Sequence, residues 1–284
     1  MKVLFSLALL LVSASFAMGQ MTLPRQSQKE RVELSIGDVQ VNVVYGRPNV
    51  RGRKVWGGLV PYNEVWRAGA DENTTFEFSR EVRINGQELP AGKYGFHVLP
   101  MEKEFVLIFS RDNDKWGSFT YQPGSDALRV SVMPESSDHH ETLSYSFSDV
   151  SVSSAKAVIS WEKIRIPFVI DIGDVHGRSI STIRNTISKR TADDIRPFSQ
   201  GASYVLNFQL KTNYQEAISW LDEALKIRET FQLLSAKAQL LAASGRTADA
   251  IATGERALAI GKAANPPANT ADFERFVTGL RNQK

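Results

Sequence analysis

The residues with the greatest capacity for chemistry crowd into one stretch, Tyr45 to Thr75. It holds Trp56 and Trp66, Tyr45 and Tyr62, Arg47, Arg51, Arg53 and Arg67, and Lys54, set among many glycines. Glycine permits tight turns and close backbone approach. Tryptophan faces and arginine forks stack on and hydrogen-bond polar ligands. One reading is a recognition pocket for a sugar, a peptide end or a small anion. Trp56, Tyr62 and Trp66 would be its apolar walls, and Arg47, Arg53, Glu64, Arg67 and Asn73 its polar contacts. The other reading is a loop that crosses the mouth of a fold and pins itself with Arg–Glu pairs and buried tryptophan. Both need the same residue types, and geometry separates them.

Other constellations are thinner. His139-His140-Glu141 is the nearest approach to a metal cluster. On a strand, His139 and Glu141 would share a face while His140 points away. Two ligands fall short of a catalytic zinc site, and His97 could supply a third only if the fold brought it near. Pro134 to Asp138 reads as a turn, so a solvated loop is expected there, and His176 reads as a linker residue. Asp112-Asn113-Asp114 has the oxygen density of a calcium loop but lacks the following Gly and distal Glu. There is no Gly-x-Ser-x-Gly elbow, dinucleotide fingerprint or phosphate loop. Paired-carboxylate hydrolysis would have to draw on Glu64, Glu72 or Glu162, and nothing in their spacing singles them out. The expectation is a chain with no metal and no cofactor, more a binder than an enzyme.

The 284 residues contain no cysteine, which excludes disulfides, thiolate metal sites and a cysteine nucleophile. Hydrophobic residues make up 42% and charged residues 23%, an ordinary globular balance. The net charge of +3 is too small and too interspersed for a nucleic-acid partner to be expected. Residues 20–177 carry 18 basic and 21 acidic side chains, and residues 178–284 carry 15 and 10, so a mild charge contrast divides the halves.

The elements that must position these residues also divide in two. From about Gln20 to Gly173 the pattern has period two, as in Val39-x-Val41-x-Val43, Leu128-x-Val130-x-Val132, Leu143-x-Tyr145-x-Phe147 and Ile164-x-Ile166-x-Phe168. Val82 to Leu89, centred on Asn85-Gly86, is a hairpin with a two-residue turn. Eight or more such strands without crossover helices predict an antiparallel sandwich or jelly roll over 20–173. Residues 174–198 read as a linker with a short helix, in which Ile180, Ile183 and Ile187 have helical spacing. From Ser199 a helical pattern repeats. Ala217 and Ala224 return 33 positions later as Ala250 and Ala257.

Asn213-Tyr214-x-Glu216-Ala217 and Gly245-Arg246-x-x-Asp249-Ala250 resemble tetratricopeptide repeats, two copies over 199–264 with a capping helix from Asp272 to Arg281. The Trp and Pro often seen in each copy are missing. Two copies are fewer than a free-standing array needs, so the helices are expected to pack on the β domain. The resemblance implies an all-α repeat region over 199–284 and a surface for a protein partner.

A second resemblance covers about 25–172. It rests on Gly52-Arg53-Lys54-Val55-Trp56-Gly57-Gly58-Leu59-Val60-Pro61-Tyr62, Glu64-Val65-Trp66-Arg67-x-Gly69-Ala70 and Thr74-Thr75. It continues in Leu89-Pro90-Ala91-Gly92-Lys93-Tyr94, Trp116-Gly117 and Trp161-Glu162-Lys163. Here the chain closely resembles DUF2911, a bacterial family of exported proteins defined as a domain of unknown function. The resemblance implies an exported β-rich domain and brings no established ligand or catalytic residue.

Residues 1–19 read as a secretory signal peptide, with Lys2 before the apolar run Val3 to Val12 and small residues near Ala17 and Gly19. That run is too short to span a bilayer, and no later segment is apolar enough, so no transmembrane segment is expected in the mature chain. The sequence therefore points to an exported, most simply periplasmic, non-enzymatic binding or scaffolding protein. A saccharide hydrolase and a purely structural envelope protein stand as alternatives.

Overall fold

The computed structural model describes residues 24–282, and the signal-peptide reading of 1–19 lies outside them. Two compact units divide the chain after Gly173.

The first unit holds ten strands: β1 (Gln28–Ile36), β2 (Val39–Arg47), β3 (Thr74–Phe78), β4 (Val82–Ile84), β5 (Gln87–Leu89), β6 (Gly92–Pro100), β7 (Phe105–Ser110), β8 (Asp126–Val132), β9 (Glu135–Ser148) and β10 (Ser154–Asp171). They form a six-stranded sheet of order β1-β2-β3-β6-β7-β8 and a four-stranded sheet of order β5-β4-β10-β9. Every pairing within them is antiparallel. Alternation explains the layering. Val39, Val41, Val43 and Tyr45 are buried on β2 while Gln40 is exposed. The inner faces meet through aromatic rings: Phe76 and Phe96 lie 5.9 and 6.2 Å from Phe168, and Tyr45 lies 4.5 Å from Tyr145. Each fully buried phenylalanine contributes about 3 kcal/mol of transfer free energy, and such rings fill the space between the sheets. Asn85 (φ 46°) and Gly86 (φ 84°) form the turn between β4 and β5, both left-handed as that hairpin requires.

Two local expectations change. Residues 135–141 belong to β9 rather than to a solvated loop. The run of Ser, Asp, His and Glu has weak strand propensity, and pairing with β10 overrides it. Residues 175–189 form a full helix, α1 (Val175–Lys189), where a linker with a short helix was expected.

The second unit is all helix: α1, then α2 (Arg196–Asn207), α3 (Tyr214–Ile227), α4 (Phe231–Ala243), α5 (Thr247–Ala263) and α6 (Ala271–Asn282). Asp174 caps α1 by accepting from Gly177 N, and Thr230 caps α4 by accepting from Leu233 N. Gly245 (φ 81°) ends the turn after α4 in the left-handed conformation that glycine supplies. Ile180, Ile183 and Ile187 of α1 pack on the same core as Val205, Ile218, Leu221 and Leu240. Ala217, Ala224, Ala250 and Ala257, the positions that repeat at 33 residues, are all fully buried. Small side chains there let successive helices approach closely.

Candidate functional site

The connection from β2 to β3, residues 48–73, is a structured limb laid across both sheets. It bonds to β9 through Val50 N to Glu141 O (2.7 Å), Leu143 N to Pro48 O (3.0 Å) and Thr142 Oγ1 to Asn49 Oδ1 (2.6 Å). It bonds to β6 through a reciprocal pair between Trp66 and Val98, each 2.8 Å. It returns to β2 through Ala70 N to Gly46 O (3.2 Å). Its own Val50, Val55, Val60 and Ala68 are buried. A limb held at so many points presents its remaining side chains in fixed positions.

Those side chains enclose a cavity of about 620 Å³ in the β unit. Its apolar floor is a tryptophan stack. Trp66 of the limb lies 5.5 Å from Trp161 of β10, with planes only 16° apart. Trp56 sits edge-on behind both, at 5.7 and 6.2 Å, and against Phe105 at 5.1 Å. Trp161 is aimed by an irregularity in β10: the register shifts on both sides of Glu162, which adopts φ 56°. Bulges of this kind redirect neighbouring side chains and are common beside functional sites. Trp116, from the loop after β7, supplies a further wall and is 59% exposed.

The polar lining is cationic. Arg51, Arg53 and Arg67 line the cavity, and none forms an ion pair with a carboxylate among the described residues. Their guanidiniums donate only to neutral oxygens, while the Arg51 backbone N–H donates to Glu141 Oε1 (2.9 Å). Arg53 Nε and Nη2 reach Val50 O (2.9 Å) and Asn49 O (2.6 Å), Arg67 Nε reaches Gly69 O (3.3 Å), and Arg51 Nη1 reaches Gln26 Oε1 (3.1 Å). Each guanidinium has five N–H donors, so most of this capacity is unspent. Arg25, a fourth lining arginine, is paired with Glu72 at 2.7 Å. That hydrogen bond holds the Glu72 carboxyl down at about 2. Among the described residues Asp71 is the one carboxylate in the lining.

The residues singled out from sequence are dispersed among several roles. Arg53, Trp66 and Arg67 line the cavity. Trp56 is buried and donates to Trp161 O (3.4 Å), so it supports the floor instead of forming a wall. Arg47 pairs with Glu30 (3.2 Å) and donates to Leu143 O, tying β2 to β1 and β9. Tyr62 packs its ring on Gly57, and Glu64 is exposed outside the cavity. Asn73 is 6% exposed, and its amide faces Lys115 O and Gly117 O, which places the NH₂ group toward those carbonyls. It thereby positions the loop that carries Trp116. Arg25, Arg51, Asp71, Trp116 and Trp161 also line the cavity and were not chosen from sequence. The quoted pairs Trp116-Gly117 and Trp161-Glu162 were the available signal for two of them.

The histidines do not gather. His139 Nε2 lies 3.2 Å from Glu141 Oε2 on one face of β9. His97 is buried on β6, 2.9 Å from Ser118 Oγ, with its ring near Tyr121. Burial pushes the His97 imidazole down to about 4, with Asp126 and Asp112 pulling weakly the other way. Among the described residues no group of three or more His, Cys, Asp or Glu is placed to hold a metal ion.

A family model described as a protein of unknown function, DUF2911, matches residues 27–170, just over half of the chain. The chain belongs to the DUF2911 family. The matched DUF2911 region runs from the start of β1 to the end of β10 and contains the whole limb, both tryptophans of the stack and Trp116. No curated protein and no solved structure matches the chain. The DUF2911 assignment therefore brings no ligand with it, and the site's chemistry has to be read from its geometry.

Proposed function

We propose that this DUF2911 protein is a non-enzymatic binding protein whose β unit holds a small polar ligand bearing negative charge. One observation carries the reading: three guanidiniums with no carboxylate partner surround a cavity floored by stacked tryptophans. A limb that only locked itself in place would pair its arginines internally. Among the described residues Arg47 and Arg25, which flank the limb, are paired with carboxylates, while the limb's own Arg51, Arg53 and Arg67 are not. This argues against a purely structural role. The hydrolase alternative needs two converging carboxylates, and the cavity is lined by one.

The helical unit fits a tetratricopeptide-like scaffold, supported by the 33-residue return of four buried alanines, and export is supported by the composition of residues 1–19. No helix among the described residues is long and apolar enough to cross a membrane.

The test is a thermal-shift panel of sulfate, phosphate, organic carboxylates and neutral sugars on the full chain and on Arg67→Gln. A ligand that binds only the folded state raises the melting temperature by mass action. Shifts from anionic compounds that vanish in a folded Arg67→Gln variant support the reading. Equal shifts in both proteins, or none in either, overturn it.

A further inference from the structure

We infer that the ligand is an acidic sugar, a pyranose ring carrying a carboxylate or sulfate group, an inference that rests on the cavity being an anion site. The cavity offers three kinds of surface at once. Arg51, Arg53 and Arg67 supply unspent guanidinium donors, whose planar forks match a carboxylate or sulfate edge. Asp71 lines the same space and forms no hydrogen bond or ion pair among the described residues. That carboxylate, with the Arg25 guanidinium near it, repels a bare polyanion and accepts from hydroxyls. The ligand must therefore bring O–H donors as well as negative charge. Trp66, backed by the stacked Trp161, and the exposed Trp116 supply flat apolar faces. A pyranose presents a C–H face to such planes while its hydroxyls point outward to polar groups.

Two further observations support a built site. Trp161 is 1% exposed, and its Nε1–H has no acceptor among the described residues. A buried donor left unmatched is costly, and a sugar oxygen reaching the floor is an acceptor of the right kind. Arg51 (φ 51°) and Asp71 (φ 65°) are both held in the left-handed region that non-glycine residues disfavour. Two strained backbone positions therefore carry opposite charges into one cavity, and strain of this sort collects at ligand sites. The volume of about 620 Å³ lies within the usual span of small-molecule pockets.

The test is titration calorimetry on the full chain with glucuronate, glucose 6-sulfate, glucose, inorganic sulfate and adenosine monophosphate. The expected result is that glucuronate or glucose 6-sulfate binds about tenfold or more tightly than glucose or sulfate, a gap of the size one charge-assisted hydrogen bond supplies. Trp116→Ala should weaken the acidic sugar by about the same factor and leave sulfate unchanged, while Asp71→Asn, which removes both the hydroxyl acceptor and the repulsion, should tighten sulfate relative to the acidic sugar. Both variants should fold, because Trp116 is largely exposed and asparagine tolerates the left-handed backbone. Sulfate binding as tightly as the acidic sugars, indifferent to Trp116→Ala, overturns the sugar and leaves the anion site standing. Tighter binding of adenosine monophosphate overturns it in favour of a nucleotide. No binding of any charged compound to the folded chain overturns the anion site itself.

Discussion

Gly46→Ala tests whether the limb is held as rigidly as the site requires. Gly46 lies on β2, and its carbonyl accepts from Ala70 N as the limb returns to the sheet. A Cβ built there would stand 2.2 Å from Ala70 O and 3.0 Å from Ala70 C. Both obstructing atoms are backbone, so no side chain can swing aside, and the limb must retreat by about 1 Å to restore normal contact. Overpacking of this kind costs about 1–3 kcal/mol, and weakening the Ala70–Gly46 hydrogen bond adds about 1 kcal/mol. The sum of roughly 2–4 kcal/mol corresponds to a fall of roughly 5–15 °C in melting temperature for a unit of this size. Tryptophan fluorescence is a suitable probe, because Trp56, Trp66, Trp116 and Trp161 lie in the β unit and only Trp220 in the helices. Gly124→Ala is the control, since nothing lies within 4 Å of its added carbon. A Gly46→Ala melting temperature equal to that of Gly124→Ala would refute the reasoning. The same displacement moves Gly69, Ala70 and Asp71, so ligand binding should fall with it.

Further expectations concern individual groups. His97 is neutral in the fold down to about pH 4, while the unfolded chain takes up its proton near 6.5. The unfolded state then binds more protons between those values, so stability falls as pH drops from about 6.5 to about 4, by up to about 3 kcal/mol, and levels off below. Urea titrations of wild type and His97→Asn should show this slope in wild type and a flatter profile in the variant. Glu72 should titrate near 2 by NMR, and Arg25→Ala should return it toward 4.5. Global stability should change little there, because the pair is partly exposed. Ala250→Leu inserts bulk at a fully buried helix contact and should cost about 1–3 kcal/mol, seen as an earlier loss of helical circular dichroism; an unchanged midpoint would mean that the alanine repeat does not mark a tight contact.

The parts of the architecture that could be read from the chain are those where local chemistry and tertiary context agree. Asn85-Gly86 names its own turn, and the alternation of Val39, Val41 and Val43 survives because one face of β2 is buried. The 33-residue return of alanine is visible because every copy must meet the same packing limit. Residues 135–141 could not be recognised as strand, since their pairing with β10 is non-local and their composition is that of a turn. In the site, Arg53, Trp66 and Arg67 lie close together in sequence and in space. Trp116 and Trp161 come from distant strands and loops, and only the fold brings them in. Arg47 and Arg67 are the same residue type in the same stretch, yet one is paired with Glu30 and the other faces the cavity. Residue type cannot separate those roles; the path of the limb does.

The central claim is that Arg51, Arg53 and Arg67 jointly receive an anion. Side-chain NMR of the full chain labelled at arginine, titrated with glucuronate, tests it most directly. The account predicts that the Nε–H signals of these three shift together along one saturable curve, while those of Arg31 and Arg165, which are paired with carboxylates elsewhere, stay in place. Shifts spread evenly over all arginines, or none at the three, would contradict it.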